Sequence, residues 1–442
     1  MTKPLITFVQ RHVVVLVTVV AASGMAQASD DPAERSKEAY VRAVVGGAGL
    51  MPWQSDAPSE AEAAFRAEIE ARKDTLLDGR GAPEHPRMLS DADIARARRN
   101  IESSDWARAW FDAIKTRADH VVDQPPEYVE AMISELTPTN PYGFTCPNCV
   151  GEQSQEGAGQ GLVAWSYRQP DQFQCRKCGQ VYPSPEFPET ATLRAPRMGQ
   201  EFTFYYNETE RANPDDRSGK LAFHWVGRPI HVSFSGLIRY HKAVFMRNCA
   251  LDLAYAYAVT GDDRYAARAR DILVRFAQCY RNWLYHDYWD SIADCDPMYA
   301  AWHDMALPLE WKKHLAEDAF ARDSLDSARM LQTYWGAGRL HPSTDSISSV
   351  ADLALAYDLV ANAADVEALW SAAERELVER DLLLEWIMGA EPYVGGPGEA
   401  TCVNNKAPRI YNAFAAVAKA LGLNSYAEVA LEGYRNLRDQ SF

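Results

Sequence analysis

The chain has 442 residues and a formal net charge of −16, with 45 basic and 61 acidic side chains. That balance disfavours nucleic acid and anionic membranes as partners, although a local basic cleft can still hold an anionic sugar polymer. Past the first thirty residues no stretch is apolar enough to predict a bilayer span.

Lys3 and Arg11 give a basic start, Val13 to Val20 is apolar apart from Thr18, and Ala26-Gln27-Ala28 offers a small-x-small cleavage site. This order predicts a signal peptide over 1–28 and an exported, periplasmic or secreted protein. A disordered or tethering N-terminus is the competing reading. Residues 29–84 form a lead-in, with helical patterning from Glu60 to Leu77 and a break at Gly79-Arg80-Gly81. Ser90 with Asp93 spells a capping box for a helix reaching Ile101. Helices over 106–121 and 126–136 complete an 85–136 segment.

Residues 137–235 lose the helical period and read as an insertion, with short strands at 172–175, 201–206 and 221–225. Helical patterning returns over 236–442. It predicts helices at 241–260, 264–280, 299–316, 319–333, 346–360, 364–388, 406–421 and 424–438. Short connections favour antiparallel pairs. The fold class is therefore all-α dominated with a small β-rich insertion, and a toroid of helical hairpins or a plain helical array both fit the pattern.

The insertion carries Cys146-Pro147-Asn148-Cys149 and Cys175-Arg176-Lys177-Cys178, two CxxC pairs separated by 25 residues. Four thiolates at this spacing suit one tetrahedral structural Zn2+, and Gly179 suits the tight turn of a knuckle. With all four positions taken by cysteine, the metal has no open site for chemistry. Disulfides are the alternative for an exported chain. Cys249, Cys279, Cys295 and Cys402 stand alone and are read as further disulfides or buried thiols. No organic cofactor is expected.

Several short motifs occur in a telling order. These are His85-Pro86-Arg87-Met88-Leu89-Ser90, the segment from Cys146 to Pro188, Ala254 to Arg275, Gly336-Ala337-Gly338-Arg339-Leu340 with Leu355-Ala356-Tyr357-Asp358, and Asn404-Asn405-Lys406. Over about residues 85–438 the chain resembles the heparinase II/III and alginate-lyase superfamily of polysaccharide lyases. The resemblance implies an incomplete (α/α) toroid with a zinc-ribbon-like insertion and a cleft for an acidic polysaccharide. Such relatives usually continue into a C-terminal β-sheet domain, where part of their catalytic Tyr and His machinery lies. This chain stops at Phe442, so those residues are not carried over.

Cleavage beside a uronate by β-elimination needs a group that neutralises the carboxylate and a Tyr or His that moves protons. Asn404 and Asn405 are the candidates for the first role, with helix capping as the plain alternative. Relatives often carry His where this chain has Lys406, so no imidazole role transfers there and Lys406 is read as a carboxylate holder. Arg409 and Tyr411 follow as substrate-binding candidates. Tyr285-His286-Asp287-Tyr288-Trp289 and Trp302-His303-Asp304 supply acid–base candidates in Tyr285, His286 and His303, with Trp302 for stacking. Trp335, Arg339 and His341 form another sugar-binding group. His224, Trp225 and His231, with Tyr240 and His241, are a weaker cluster. The 12 Trp and 21 Tyr suit sugar stacking and equally suit core packing.

Three other readings stay open: a non-catalytic acidic-glycan-binding protein or truncated lyase fragment, a toroid glycoside hydrolase, and a uronyl C5-epimerase. A hydrolase needs two carboxylates, and Asp287, Asp290, Asp296, Asp304 and Asp345 are candidates without a spacing that selects a pair.

Overall fold

A computed structural model describes residues 59–80, 88–139, 144–149, 162–211, 229–287, 291–303, 307–313, 337–340, 349–361, 369–395 and 407–441. The expected signal peptide, the strand at 221–225 and the helix at 319–333 lie outside them. So do Asn404, Asn405, Lys406, Trp335, His341, Tyr288, Trp289, Asp290, Asp304, Asp345, His224, Trp225 and Cys402. Among the described residues no helix is long and apolar enough to cross a membrane.

The protein is helix-dominated with small sheets. Helices α1 (Ser59–Asp78), α2 (Asp91–Ser103), α3 (Asp105–Val122) and α4 (Glu127–Met132) come first. The Ser90–Asp93 capping box forms as its spacing predicts. Helix α4 stops at Met132, short of the expected 136, where Ile133 turns to extended backbone.

Helices α5 (Phe234–Thr260) and α6 (Asp263–Tyr280) form the central pair. Gly261 adopts a left-handed φ of 74° and donates to the Tyr257 carbonyl at 2.7 Å, which ends α5. Asp262 then caps α6 by accepting from Arg264 N. On α6, Tyr265, Ala266, Ala269, Ile272, Leu273, Phe276 and Ala277 fall at helical spacing and bury against α5.

Helix α8 (Val350–Val360) packs on α5, and the pair α11 (Ala407–Leu421) and α12 (Asn424–Ser441) closes the far side. Gly422, at φ 71°, makes that turn, and Leu423 N reaches back to the Ala418 carbonyl at 2.8 Å. Between them runs a continuous helical stretch: α9 (Ala372–Leu377), a π-helical segment (Val378–Leu384) and α10 (Glu385–Gly395). One main core links these elements.

The insertion holds two small antiparallel sheets, β1 (Val163–Trp165), β2 (Phe173–Cys175) and β3 (Val181–Tyr182), then β4 (Ala191–Ala195), β5 (Gln200–Arg211) and β6 (Pro229–Val232). The strand expected at 201–206 is longer, and the one at 172–175 begins a residue later.

The region expected to be continuously helical is interrupted. Helix α7 spans only Pro297–His303, not 299–316. Leu309–Trp311 is a 3-10 turn, and β9 (Lys312–Lys313) follows. Pro308 explains part of this: it has no amide hydrogen and pushes Leu307 out of helical geometry. With β7 (His286–Asp287), β8 (Ile292–Ala293) and β10 (Ala337–Gly338), β9 completes a four-stranded sheet ordered β10-β7-β8-β9.

Candidate functional site

Two constellations stand out: the four cysteines and the layer around the small sheet. Cys146 precedes a single 3-10 turn that Cys149 ends, with Cys149 N donating to Cys146 O at 3.0 Å. Cys175 ends β2, and Gly179 at φ 77° lets the chain fold back so that Gly179 N reaches Cys175 O at 2.9 Å. The four sulfurs lie within 4.8 Å of one another. Cys146 and Cys178 are 3.6 Å apart, and Cys149 and Cys175 are 4.0 Å apart. Disulfide bonding needs about 2.05 Å, so these are four thiols. Tetrahedral zinc with ~2.3 Å bonds sets sulfur–sulfur edges of about 3.8 Å, and the group can hold a metal ion.

Three of these cysteines are buried and Cys178 is exposed. Burial pushes the Cys149 thiol up to about 12 and the Cys146 thiol higher still. Burial also opposes ionisation of Cys178, but hydrogen bonds from the Asn148 side chain, Gln180 backbone and neighbouring thiols win and bring it to about 6. Tyr182 OH sits 3.1 Å from Cys146 Sγ, and its ring stacks on Phe234 at 4.4 Å. Phe234 begins α5, so the cysteine group is welded to the central helix pair through an apolar cluster. Cys249, Cys279 and Cys295 are buried free thiols.

In the second constellation, five of the sequence candidates fall into two groups, His286 with Arg339 and Tyr285 with Trp302 and His303 around Tyr299. His286 on β7 pairs with Gly338 on β10, and its Nε2 lies 2.9 Å from the Arg339 carbonyl. Arg339 is 3 % exposed. Its guanidinium lies over the Tyr280 ring at 4.8 Å, and Nη2 stands 2.9 Å from Glu385 Oε1. That last contact has ion-pair distance without hydrogen-bond alignment, since Nη2 makes no directed bond. Tyr285 is buried in a cluster with Tyr299 and Ala301, against which Trp302 packs. His303 ends α7, stacks on Tyr299 at 4.3 Å and has Nδ1 3.1 Å from the Tyr299 carbonyl.

Glu385 is the centre of this layer and was not singled out from the sequence. It is fully buried and meets three cations: Arg66 at 2.8 Å, Lys73 at 2.5 Å and Arg339 at 2.9 Å. Burial opposes its ionisation, but Arg339, Lys73 and Arg66 outweigh that and hold the carboxyl well below the usual range. Arg66 also chelates Asp296, which caps α7 through Met298 N and Tyr299 N. Thus α1, α7, α10 and the β10 end converge on one ionic cluster. A signal existed: Glu379, Glu385 and Glu391 recur at six-residue spacing, and all three are buried. Glu379 is bound by Arg80 and Tyr357 OH, and Glu391 by Arg72 and Tyr426 OH.

The remaining candidates stand elsewhere. Tyr411 is buried in the main core beside Tyr434, and Arg409 is exposed on α11. His231 is buried opposite Tyr206 in the β5–β6 ladder. His241 stacks on Trp165 at 5.9 Å, with the rings 13° from parallel. Of the hydrolase carboxylates, Asp287 accepts Ser291 N within its own turn and Asp296 is committed to Arg66.

Fold and site together define a helix-dominated protein with a four-cysteine group able to hold a metal ion. No protein-family model matches the chain, and no curated protein matches it.

Proposed function

We propose that this chain is an exported lyase that cleaves an acidic polysaccharide beside a uronate by β-elimination, on an (α/α) toroid braced by one structural Zn2+ in a zinc-ribbon-like insertion. The observation that carries this reading is that Tyr285, Trp302 and His303 come together around Tyr299, while His286 meets Arg339 next to Glu385. The order of motifs shared with the heparinase II/III and alginate-lyase superfamily supports it.

Among these groups His303 suits proton transfer best. It is only part-buried, and donation from Nδ1–H to the Tyr299 carbonyl leaves Nε2 as its basic nitrogen. Tyr285 and His286 are each 2 % exposed. Burial pulls His286 down to about 4, against backbone hydrogen bonds to Arg339 and Asp287, so it stays neutral near pH 7. Arg339 serves as a brace for the layer through Glu385. Neutralisation of the uronate carboxylate is assigned to Asn404 or Asn405, with Lys406 beside them. Cys146, Cys149, Cys175 and Cys178 would hold a metal that cross-links the two knuckles, and four thiolate ligands would leave it no open position for turnover.

The test is ultraviolet absorbance of unsaturated uronate during incubation with alginate, glucuronan, ulvan, polygalacturonate and glycosaminoglycans. A rise that His303→Gln reduces by roughly 10²-fold or more supports the reading, and a rise untouched by that variant removes His303 from it. The burial of Tyr285, His286 and Arg339 favours a second reading, a glycan-binding protein without turnover. Saturable binding with no new absorbance on any polymer selects that one.

A further inference from the structure

Buried arginines in this protein come with carboxylates. Arg66 has Glu385 and Asp296, Arg72 has Glu391, Arg80 has Glu379 and Arg339 has Glu385. Arg239 on α5 forms no ion pair, and unlike the part-buried Arg375, which donates to the Ala361 carbonyl and lies over the Trp370 ring, it has no aromatic ring contact among the described residues. Its Nε donates to the Thr137 carbonyl at 3.2 Å, while Nη2 is sealed from solvent and has no acceptor. Among the described residues, the nearby charge acting on it is Glu189. That carboxylate is already engaged by Ser235 N at 3.0 Å and Thr203 Oγ1 at 2.6 Å. Burial pulls the guanidinium down to about 10, against the pull of Glu189. A guanidinium has five donors in a rigid fork, and here the protein uses one of them.

Taking a cation out of water without a partner is costly, and such a site persists only when something else compensates. The surroundings are built rather than loose. Thr137 Oγ1 donates to Gln200 Oε1 at 2.7 Å and accepts Leu284 N at 2.7 Å, which fixes the carbonyl that holds Nε. The side chain is only part-buried, so the guanidinium keeps an edge towards solvent. The site lies where the insertion meets the first turns of α5, and Thr137 ties it to Leu284, the residue before Tyr285.

We infer that Arg239 is an anion-binding subsite that takes the carboxylate of a uronate sugar on its open Nη1 edge. This rests on the uronate reading above, and it adds a contact that the Tyr285–His303 layer does not supply. An anion there makes a charge-assisted hydrogen bond and supplies the counter-charge that the protein withholds.

The test uses the full chain with its metal and reads binding, not turnover. Galacturonate, galactose and inorganic sulfate are titrated by calorimetry and by thermal shift. Galacturonate is expected to bind and to raise Tm, with galactose at least tenfold weaker. Arg239→Met is expected to weaken galacturonate at least tenfold while the ligand-free Tm holds or rises, because an unpaired buried cation has been removed. Arg239→Lys, which keeps the charge and loses the guanidinium geometry, is expected to fall between and guards against a misfolded Met variant. Equal binding of galacturonate by wild type and both variants would overturn the inference, as would no binding by wild type. Sulfate binding as tight as galacturonate would overturn the uronate assignment. Polymer cleavage unaffected by Arg239→Met sinks this subsite alone, whereas Arg239-dependent binding without cleavage of any polymer sinks the lyase reading alone.

Discussion

The indole Nε1 of Trp302 donates to the Met388 carbonyl at 3.0 Å. Residue 392, which would normally supply the helical donor to that carbonyl, is proline. Trp302 thus repairs the hydrogen-bond ladder of α10 from outside, and ties α7 to the helix that carries Glu385.

Trp302→Phe should therefore destabilise the protein by about 1–3 kcal/mol, the cost of orphaning a buried carbonyl. Restoring the amide with Pro392→Ala should recover part of that loss. Denaturant unfolding of both single variants and the double variant measures the coupling. Additive effects would show that the two residues act independently.

Glu385→Gln should cost roughly 3–5 kcal/mol, because Arg66, Lys73 and Arg339 lose their shared anion in a buried site. The pH dependence has a definite sign. The folded carboxyl is held below its ordinary 4.5, so its stabilisation is fully present above that pH and is lost as pH falls below it. Unfolding free energy measured from pH 7 down to 3 should fall less steeply below 4.5 in the variant.

His241 titrates in a neighbouring, higher window. Burial lowers it from 6.5 to about 4, so the unfolded chain binds the proton first. Its stabilising contribution is present above pH 6.5 and is lost as pH falls towards 4. His241→Phe keeps a ring against Trp165 and should flatten the stability profile between pH 6.5 and 4. An unchanged slope there would show that His241 is not a source of the acid sensitivity.

One metal ion per chain is expected by elemental analysis, and Cys175→Ser should abolish it. Tyr182→Phe removes the hydroxyl 3.1 Å from Cys146 Sγ and should weaken metal affinity roughly 10–100-fold at unchanged stoichiometry, as loss of an outer-sphere partner does. Competition with a chromophoric chelator reads both effects.

Much of the framework was legible because its signals are local. The Ser90–Asp93 box, the Gly261-Asp262 break and the helix expected at 264–280 each rest on signals within a few residues of chain, and each formed where expected. The two-residue strands β7 to β10 carry no local pattern, since each exists only through its neighbour. That is why 299–316 read as helix. Ser371 with Glu374 is also a capping box, and it was passed over within a helix expected from 364.

By itself the sequence determined the helical pairs and the two cysteine knuckles, because periodicity, caps and CxxC spacing act over short chain distances. Tertiary structure alone decided which charges are buried and with whom. Glu385 meets Arg66 across 319 residues, Trp302 reaches Met388 across 86, and Arg239 is left without a carboxylate. Burial and pairing are set by what packing brings together, and the cost of a charge in a low-dielectric interior is invisible until its surroundings are known.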